Sequence, residues 1–219
     1  LKMIYATMCV GSKWTTKYQH IINAFSSKNH LEVLTDNIDI FDNSYNTLYD
    51  RDIFSYYEKI NFIFNLSKKY NQRITYIDSD WLVRYNTDIK YDDTSLYTYQ
   101  IFDLYIESEL TKFFYETEYH LRDTLLSHIS SNESIKYYIP EALISLPKVN
   151  EIDKMISDIK IIQPILENIY DSKNKNPRFS RYVKVGIGYG EGWAPSAICQ
   201  KYNIPIEEIE WGKSNINLI

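Results

Sequence analysis

The stretch RITYIDSDW, residues 73–81, is the part of the chain from which the rest of the fold can be predicted. Its first half is a β-branched and aromatic run typical of a buried strand, and Ile77 is followed directly by Asp78, Ser79 and Asp80. In parallel sheets, ligands bind beyond the carboxyl ends of the strands. The stretch therefore predicts a strand with a candidate site at its carboxyl end.

The segments before this stretch alternate between strand and helix patterns. Apolar runs at 4–9 and 31–36 have strand character, and apolar residues recur with helical spacing over 15–25 and 53–69. The polar stretch at 36–52 predicts irregular structure. Alternating strands and helices predict an α/β fold: a mostly parallel, Rossmann-like sheet flanked by helices, in a single domain.

The second half of the chain is less regular. Its pattern predicts one or two strands in 96–105, helices over 108–127, 152–170 (interrupted by Pro164) and 197–202, an exposed loop at 171–177, and a strand at 182–188. Four of the six glycines fall between residues 186 and 192. Such a concentration indicates close backbone approach, either to a neighbouring strand or to a ligand.

Composition and charge narrow the class of partner. The net charge of −5 and the pI near 5.4 argue against nucleic acid as a partner, because that binding depends on clustered Lys and Arg. No apolar stretch is long enough for a membrane span, so we expect a cytoplasmic protein. Cys9 and Cys199 stand in apolar or small-residue surroundings, which predicts two buried free thiols.

The Asp78-Ser79-Asp80 triplet carries the clearest chemical signal. Two carboxylates one residue apart suit Mg²⁺ or Mn²⁺, which prefer oxygen ligands and bind them together with substrate phosphates and water. The same triplet also occurs in ordinary turns. Its position at the end of a strand in a βαβα pattern favours the metal interpretation.

Three segments of the chain together resemble the GT-A-type nucleotide-sugar glycosyltransferases, of the small single-domain kind found in bacteria and large DNA viruses. They are Ala6-Thr7 with the following 11–14, the strand leading into 78–80, and the late turn 190–192 before a helix. The aspartate motif is the specific one. The resemblance implies a GT-A-like fold and a metal-dependent glycosyltransferase.

The resemblance also implies roles for residues around the nucleotide. Ala6 and Thr7 would line the nucleotide pocket, and Asp36 would contact the base or ribose. Candidates for base or phosphate contacts are Tyr57, Lys59 and Arg73. For Tyr57 and Lys59 the alternative is an aromatic core stripe with a solvated lysine.

At the aspartate motif, the resemblance places Asp78 near the ribose and donor sugar, with Ser79 beside it, and makes Asp80 the direct metal ligand for Mn²⁺ or Mg²⁺. Trp81 either covers the sugar or belongs to the core. Glu191 is the candidate general base, with Asp78 as the other catalytic candidate; the alternative for Glu191 is a carboxylate favoured by a helix start. No His follows His128, so a second protein ligand for the metal is left open.

The predicted reaction moves a hexose or similar sugar from a nucleotide diphosphate sugar donor to a hydroxyl, with a glycan as the expected acceptor. Residues 1–94 would form the nucleotide-binding half and 95–219 the acceptor-side half. Two alternatives are a nucleotidyltransferase, which needs a third acidic ligand and a basic triphosphate loop, and a non-catalytic nucleotide-sugar or interaction module.

Overall fold

A mixed β-sheet with helices on both faces organises the chain. The computed structural model describes residues 3–51, 55, 57–85, 89–103, 125–129, 133, 135–140, 142–174 and 192–209. The helices are α1 (Ser12–Ser26), α2 (Glu58–Tyr70), α3 (Ile152–Asn174) and α4 (Trp193–Lys201). The strands are β1 (Ile4–Met8), β2 (His30–Thr35), β3 (Tyr45–Leu48), β4 (Ile74–Ile77), β5 (Leu96–Thr98), β6 (Phe102–Asp103), β7 (Tyr137–Tyr138), β8 (Leu143–Leu146) and β9 (Ile206–Glu208).

The main sheet has seven strands in the order β3-β2-β1-β4-β8-β5-β9, and β6 and β7 form a separate antiparallel pair. β1 pairs in parallel with both β2 and β4, and β2 pairs in parallel with β3. β8 is antiparallel to its neighbours β4 and β5, and β5 is parallel to β9. This confirms the predicted α/β fold with a mostly parallel sheet flanked by helices.

The core consists of two apolar clusters, one on each face of the sheet. On one face, α1 contributes Ile22 to a cluster with Leu31 and Val33 of β2. On the other face, α2, α3 and α4 pack together over Ala6 and Tyr76. Both faces of β1 and β4 are covered, so their side chains are buried along their length.

Several elements differ from the sequence predictions. β3 lies within the stretch predicted to be irregular. α3 runs through Pro164 and includes 171–174, which were predicted to be loop. Pro164 is exposed, whereas Ile159, Ile162 and Leu166 of the same helix are buried. Burial of that face outweighs the cost of about 3 kcal/mol for an interior proline.

The C-terminal helix begins at Trp193, four residues earlier than predicted. Most of the predicted helix at 108–127 and the predicted strand at 182–188 lie outside the described residues. Within the described ranges, no helix has the length and apolar character needed to cross a membrane.

Candidate active site at the carboxyl edge of the sheet

The carboxyl ends of β1 and β4 meet in the middle of the sheet. β1 lies between β2 and β4, so the strand order reverses there, and such a reversal leaves a ligand crevice in open α/β sheets. Ala6 pairs in register with Tyr76, and the hydroxyl of Ser79 donates to the carbonyl of Met8 at 2.9 Å. The aspartate motif therefore lies at the topological switch point.

Asp78 is held on one oxygen by two side chains. The hydroxyl of Tyr76 donates to Oδ1 at 2.8 Å, and Nζ of Lys59 lies 3.6 Å from the same oxygen. The amide of Asp78 donates to the carbonyl of Ala142 at 2.8 Å, which fixes the backbone. The carboxylate is about one third exposed, so it is anchored from inside the protein and open toward solvent.

Lys59 is a buried ammonium group behind this carboxylate. It stands in the first turn of α2 with 3% of its surface exposed, and its Nζ lies 5.6 Å from the centre of the Tyr76 ring. Burying an ammonium group is costly unless an opposite charge compensates it. The structure brings Lys59 to the predicted site and excludes the alternative of a solvated lysine.

Asp80 is in a different electrostatic situation. Its side chain is exposed, and among the residues that the structure describes it has no ion-pair partner. The pKa of its carboxyl is raised, first by partial desolvation of the group and second by the negative charge of Asp78, whereas Lys17 and Arg84 act in the opposite direction. A nearby divalent cation would relieve this repulsion.

The loop after β1 forms the neighbouring wall of the crevice. Gly11 has φ of 94°, which only glycine adopts readily, and it leads directly into α1. Its amide donates to Oδ2 of Asp36 at 3.0 Å. Asp36 follows the last residue of β2, so the structure brings Asp36 to the same edge as the aspartate motif.

Ala6 and Thr7 lie inside the sheet, and neither has an exposed side chain. The hydroxyl oxygen of Thr7 is buried without a hydrogen-bond partner among the described residues. These two residues lie within β1, and Val10 and Gly11 beyond its carboxyl end are half-buried.

Two predicted contact residues, Tyr57 and Arg73, bond to backbone carbonyls of the protein itself. The hydroxyl of Tyr57 donates to the carbonyl of Leu166 in α3 at 3.3 Å, and the ring is buried, as the core alternative predicted. Arg73 precedes β4 and therefore lies at its amino end, with its Cα atom roughly 16 Å from that of Asp78 at about 3.3 Å per residue. Its guanidinium donates to the carbonyl of Ser145 at 2.9 Å and to that of Ser95 at 3.0 Å.

Trp81 is half-buried and packs against the ring of Tyr99, with 4.7 Å between the ring centres. It adjoins the apolar cluster on the α1 face. This packing agrees with the core interpretation of Trp81.

The predicted general base, Glu191, lies outside the described residues, as do the glycines at 186, 188 and 190. The next residue, Gly192, explains one of the clustered glycines. A Cβ atom there would lie 1.9 Å from the carbonyl oxygen of Ile139 and 2.9 Å from the Tyr138 ring. At Gly192 the close approach is therefore to the protein's own backbone.

The carboxylates at this edge could supply two of the oxygen ligands that a divalent cation needs. Asp78 and Asp80 offer hard oxygen ligands of the kind that Mg²⁺ and Mn²⁺ prefer. Within the described ranges, no group of three or more His, Cys, Asp or Glu residues could hold a metal. A cation here would need oxygen ligands from a substrate diphosphate and water.

Sequence reasoning missed three residues near the motif. Tyr76 could have been found, because alternation along β4 puts it on the same side as Asp78. Lys17 on α1 and Arg84 after β4 influence Asp80, but no sequence pattern shows that α1 packs beside residues 82–84 as it does here. Both thiols, Cys9 and Cys199, are buried and free, as predicted.

Comparisons with known proteins show a distant structural likeness. No protein-family profile matches the sequence, and no curated protein matches it. One solved structure that the chain resembles is the glycosyltransferase GlyE of Streptococcus pneumoniae TIGR4, with 10% identity and a TM-score of 0.43. The match covers 95% of this chain and 45% of that chain, so the chain spans less than half the length of GlyE. A likeness at this level does not assign an activity.

Proposed function

We propose that the chain is a metal-dependent glycosyltransferase that binds a nucleotide diphosphate sugar at the carboxyl edge of the sheet. The supporting observation is the contrast between the paired carboxylates at the switch point: Asp78 is anchored by Lys59 and Tyr76, whereas Asp80 is exposed and has a raised pKa. Paired carboxylates at this position suit a diphosphate bound through a cation.

The two carboxylates have separate roles in this proposal. Asp80 is the protein's metal ligand, since it has no compensating ion pair among the described residues. Asp78 accepts hydrogen bonds from hydroxyl groups of the ribose or donor sugar, because Lys59 already balances its charge on the buried side. Asp36, which follows β2, binds the nucleoside in this proposal.

The transfer step follows from ordinary glycosyl chemistry. The oxygen of an acceptor hydroxyl forms a bond to the anomeric carbon while the bond from that carbon to the diphosphate breaks, and the nucleoside diphosphate leaves with the electron pair. The acceptor proton goes to a carboxylate base, for which Glu191 remains the candidate. Bound Mn²⁺ or Mg²⁺ would supply positive charge for the leaving diphosphate.

A nucleotidyltransferase is less well supported by the same residues. Such an enzyme would need a third acidic metal ligand, and no cluster of three occurs in the described part of the chain. The experiments below identify the donor nucleotide and test the acceptor.

The first experiment is a thermal-shift screen of UDP, GDP, dTDP and CMP, each with and without MnCl₂. Ligand at 100 times Kd stabilises the folded state by about 2.7 kcal/mol, which raises the Tm of a protein of this size by roughly 5–10 °C. We expect a metal-dependent shift with one nucleotide that is lost in Asp80→Ala. Asp93→Ala is the matched control, because it removes an exposed aspartate that precedes β5 and so lies at the amino ends of β4 and β5, away from the aspartate motif. No shift with any nucleotide would contradict the proposal.

A further inference from the structure

The first turns of α1 carry an exposed group of aromatic and basic side chains next to the crevice. We call Lys13, Trp14, Lys17 and Tyr18 the aromatic platform. Trp14 is 45% exposed, and its indole lies parallel to the ring of Tyr18, with 5.9 Å between centres and 3° between planes. The ammonium groups of Lys13 and Lys17 lie 5.2 Å and 5.3 Å from the centre of the Trp14 ring.

This platform adjoins the candidate site. A Cβ atom on Gly11, in the loop that forms the wall of the crevice, would lie 3.8 Å from Cδ1 of Trp14. The helix that carries the platform, α1, also packs against the turn Leu82–Arg84, which follows the aspartate motif. The platform therefore borders the loop and the turn that flank the proposed reaction centre.

The platform is positively charged in an acidic protein. It contains two lysines, α1 has no acidic residue in its first turn, and Arg84 lies on the adjacent turn. The exposed carboxylate of Asp80, on which Lys17 and Arg84 act, offsets part of this charge. The chain as a whole carries a net charge of −5. Electrostatic complementarity of this local kind selects an anionic partner. A nucleobase stacked on Trp14, with its diphosphate near the ammonium groups, is the alternative, and nucleotide binding by Trp14→Ala distinguishes it from the arrangement proposed below.

We propose that the aromatic platform binds the acceptor, and that this acceptor is an oligosaccharide with acidic sugar units. The apolar C–H face of a pyranose packs on an exposed indole, and Trp is suited to such contacts because it combines a large apolar face with a polar edge. The carboxylate, sulfate or phosphate of the sugar pairs with Lys13 and Lys17. This inference rests on the proposed glycosyltransferase function, since it assigns the acceptor of the same site.

The test compares two probes by titration calorimetry: tetragalacturonic acid and the neutral β-1,4-galactotetraose. We expect the wild-type protein to bind the acidic probe at least about tenfold more tightly than the neutral one, a difference of about 1.4 kcal/mol. Trp14→Ala and Lys17→Glu should each weaken binding of the acidic probe by about tenfold or more, as is usual for central contacts. Trp14→Phe keeps a ring and should retain most of the affinity.

Lys28→Glu is the matched control, because it reverses an exposed lysine just beyond the other end of α1. It should change the affinity by no more than about twofold, as expected for a charge away from the contact. Inorganic polyphosphate is the control for charge without a sugar ring. Binding of polyphosphate as tight as that of tetragalacturonic acid, with no effect of Trp14→Ala, would overturn the inference.

The thermal shift with nucleotide and MnCl₂ is measured on the same variants to separate the two proposals. A nucleotide shift retained in Trp14→Ala, together with lost oligosaccharide binding, supports the inference. A nucleotide shift lost in Trp14→Ala overturns it, because the platform would then serve the nucleoside. A wild-type protein that binds nucleotide but neither oligosaccharide also overturns it, and leaves the proposed function in place. Binding of the acidic probe with no nucleotide shift contradicts the proposed function, and with it the assignment of that sugar as an acceptor.

Discussion

Strand β4 has charged residues beyond each of its ends, and the two ends differ in how those charges are compensated. At the amino end, the guanidinium of Arg73 donates to backbone carbonyls of Ser145 and Ser95. Beside it, the carboxyl of Asp92 accepts bonds from the amides of Thr94 and Ser95, each at 2.7 Å. These bonds hold the pKa of Asp92 well below its usual range.

At the carboxyl end of β4, the charges are less fully compensated within the protein. The pKa of Asp80 is raised rather than lowered, and the ammonium of Lys59 is buried beside the partly exposed carboxylate of Asp78. Charges that stabilise a fold are compensated within it, whereas charges that bind a ligand are left to be compensated by the ligand. This difference supports the proposal that the carboxyl end is the functional one.

The largest expected effect on stability is at the amino end. Arg73→Met should lower the free energy of unfolding by about 3 kcal/mol, because it leaves several carbonyl groups without their donor. Urea denaturation measures this loss. Nucleotide binding by the folded variant should be unchanged. A stable variant that has lost nucleotide binding would show that Arg73 belongs to the site after all.

A smaller effect is expected for the buried lysine. Lys59→Met should lower stability by about 1 kcal/mol, since the Asp78 carboxylate keeps Tyr76 and solvent but loses its compensating cation. The double variant Lys59→Met with Asp78→Asn should regain most of this loss, because no uncompensated charge remains. A double variant less stable than the sum of the two single changes would contradict the ion pair.

The smallest stability effects distinguish Asp80 from Asp92 through their dependence on pH. Folding raises the pKa of Asp80, so its ionised form is disfavoured in the folded protein above the unfolded pKa of about 3.9. Asp80→Asn should therefore raise the Tm slightly at pH 7, by about 1–2 °C for a change within 0.5 kcal/mol. The gain in Tm should disappear near pH 3, where the Asp80 side chain of the wild type is protonated and therefore as neutral as the asparagine.

Asp92→Asn should behave in the opposite way. The lowered pKa of Asp92 means that its contribution to stability is present above the unfolded pKa and is lost as the pH falls through the folded value. The variant should have a lower Tm than wild type at pH 7 and should approach wild type in strong acid. Thermal melts of both variants and of wild type across pH 3–7 measure these differences. Tm changes of the same sign in the two variants at pH 7 would contradict the contrast between the two ends of β4.

The sequence was sufficient for the parts of the fold that have strong periodicity. β1, β2, β4, α1 and the body of α2 lie where the patterns predicted them, and Asn71 ends α2 in a left-handed conformation. β8 was missed because its four buried residues lie between prolines 140 and 147 and show no alternation. α3 was predicted to break at Pro164, because a pattern cannot show that burial of the opposite face holds the helix together.

The site was predictable to the level of its motif. The end of an apolar strand located Asp78 and Asp80, and the family resemblance added Asp36, which the structure brings to the same end of the sheet. The burial of Lys59 and the approach of Lys17 to Asp80 depend on how α2 and α1 pack on the two faces of the sheet. Such tertiary distances leave no signal in a single sequence.

The most direct test of the account is release of nucleoside diphosphate from a panel of nucleotide sugars, measured with MnCl₂ in wild type and in Asp80→Asn. With one donor, we expect slow metal-dependent release to water in the wild type, and release at least about 100-fold slower in Asp80→Asn, the size of effect typical for loss of charge stabilisation at a reacting centre. The variant should remain folded, with a Tm no lower than that of wild type at pH 7. Equal rates in the two proteins, or no release from any donor, would contradict the assignment of this edge as a glycosyltransferase site.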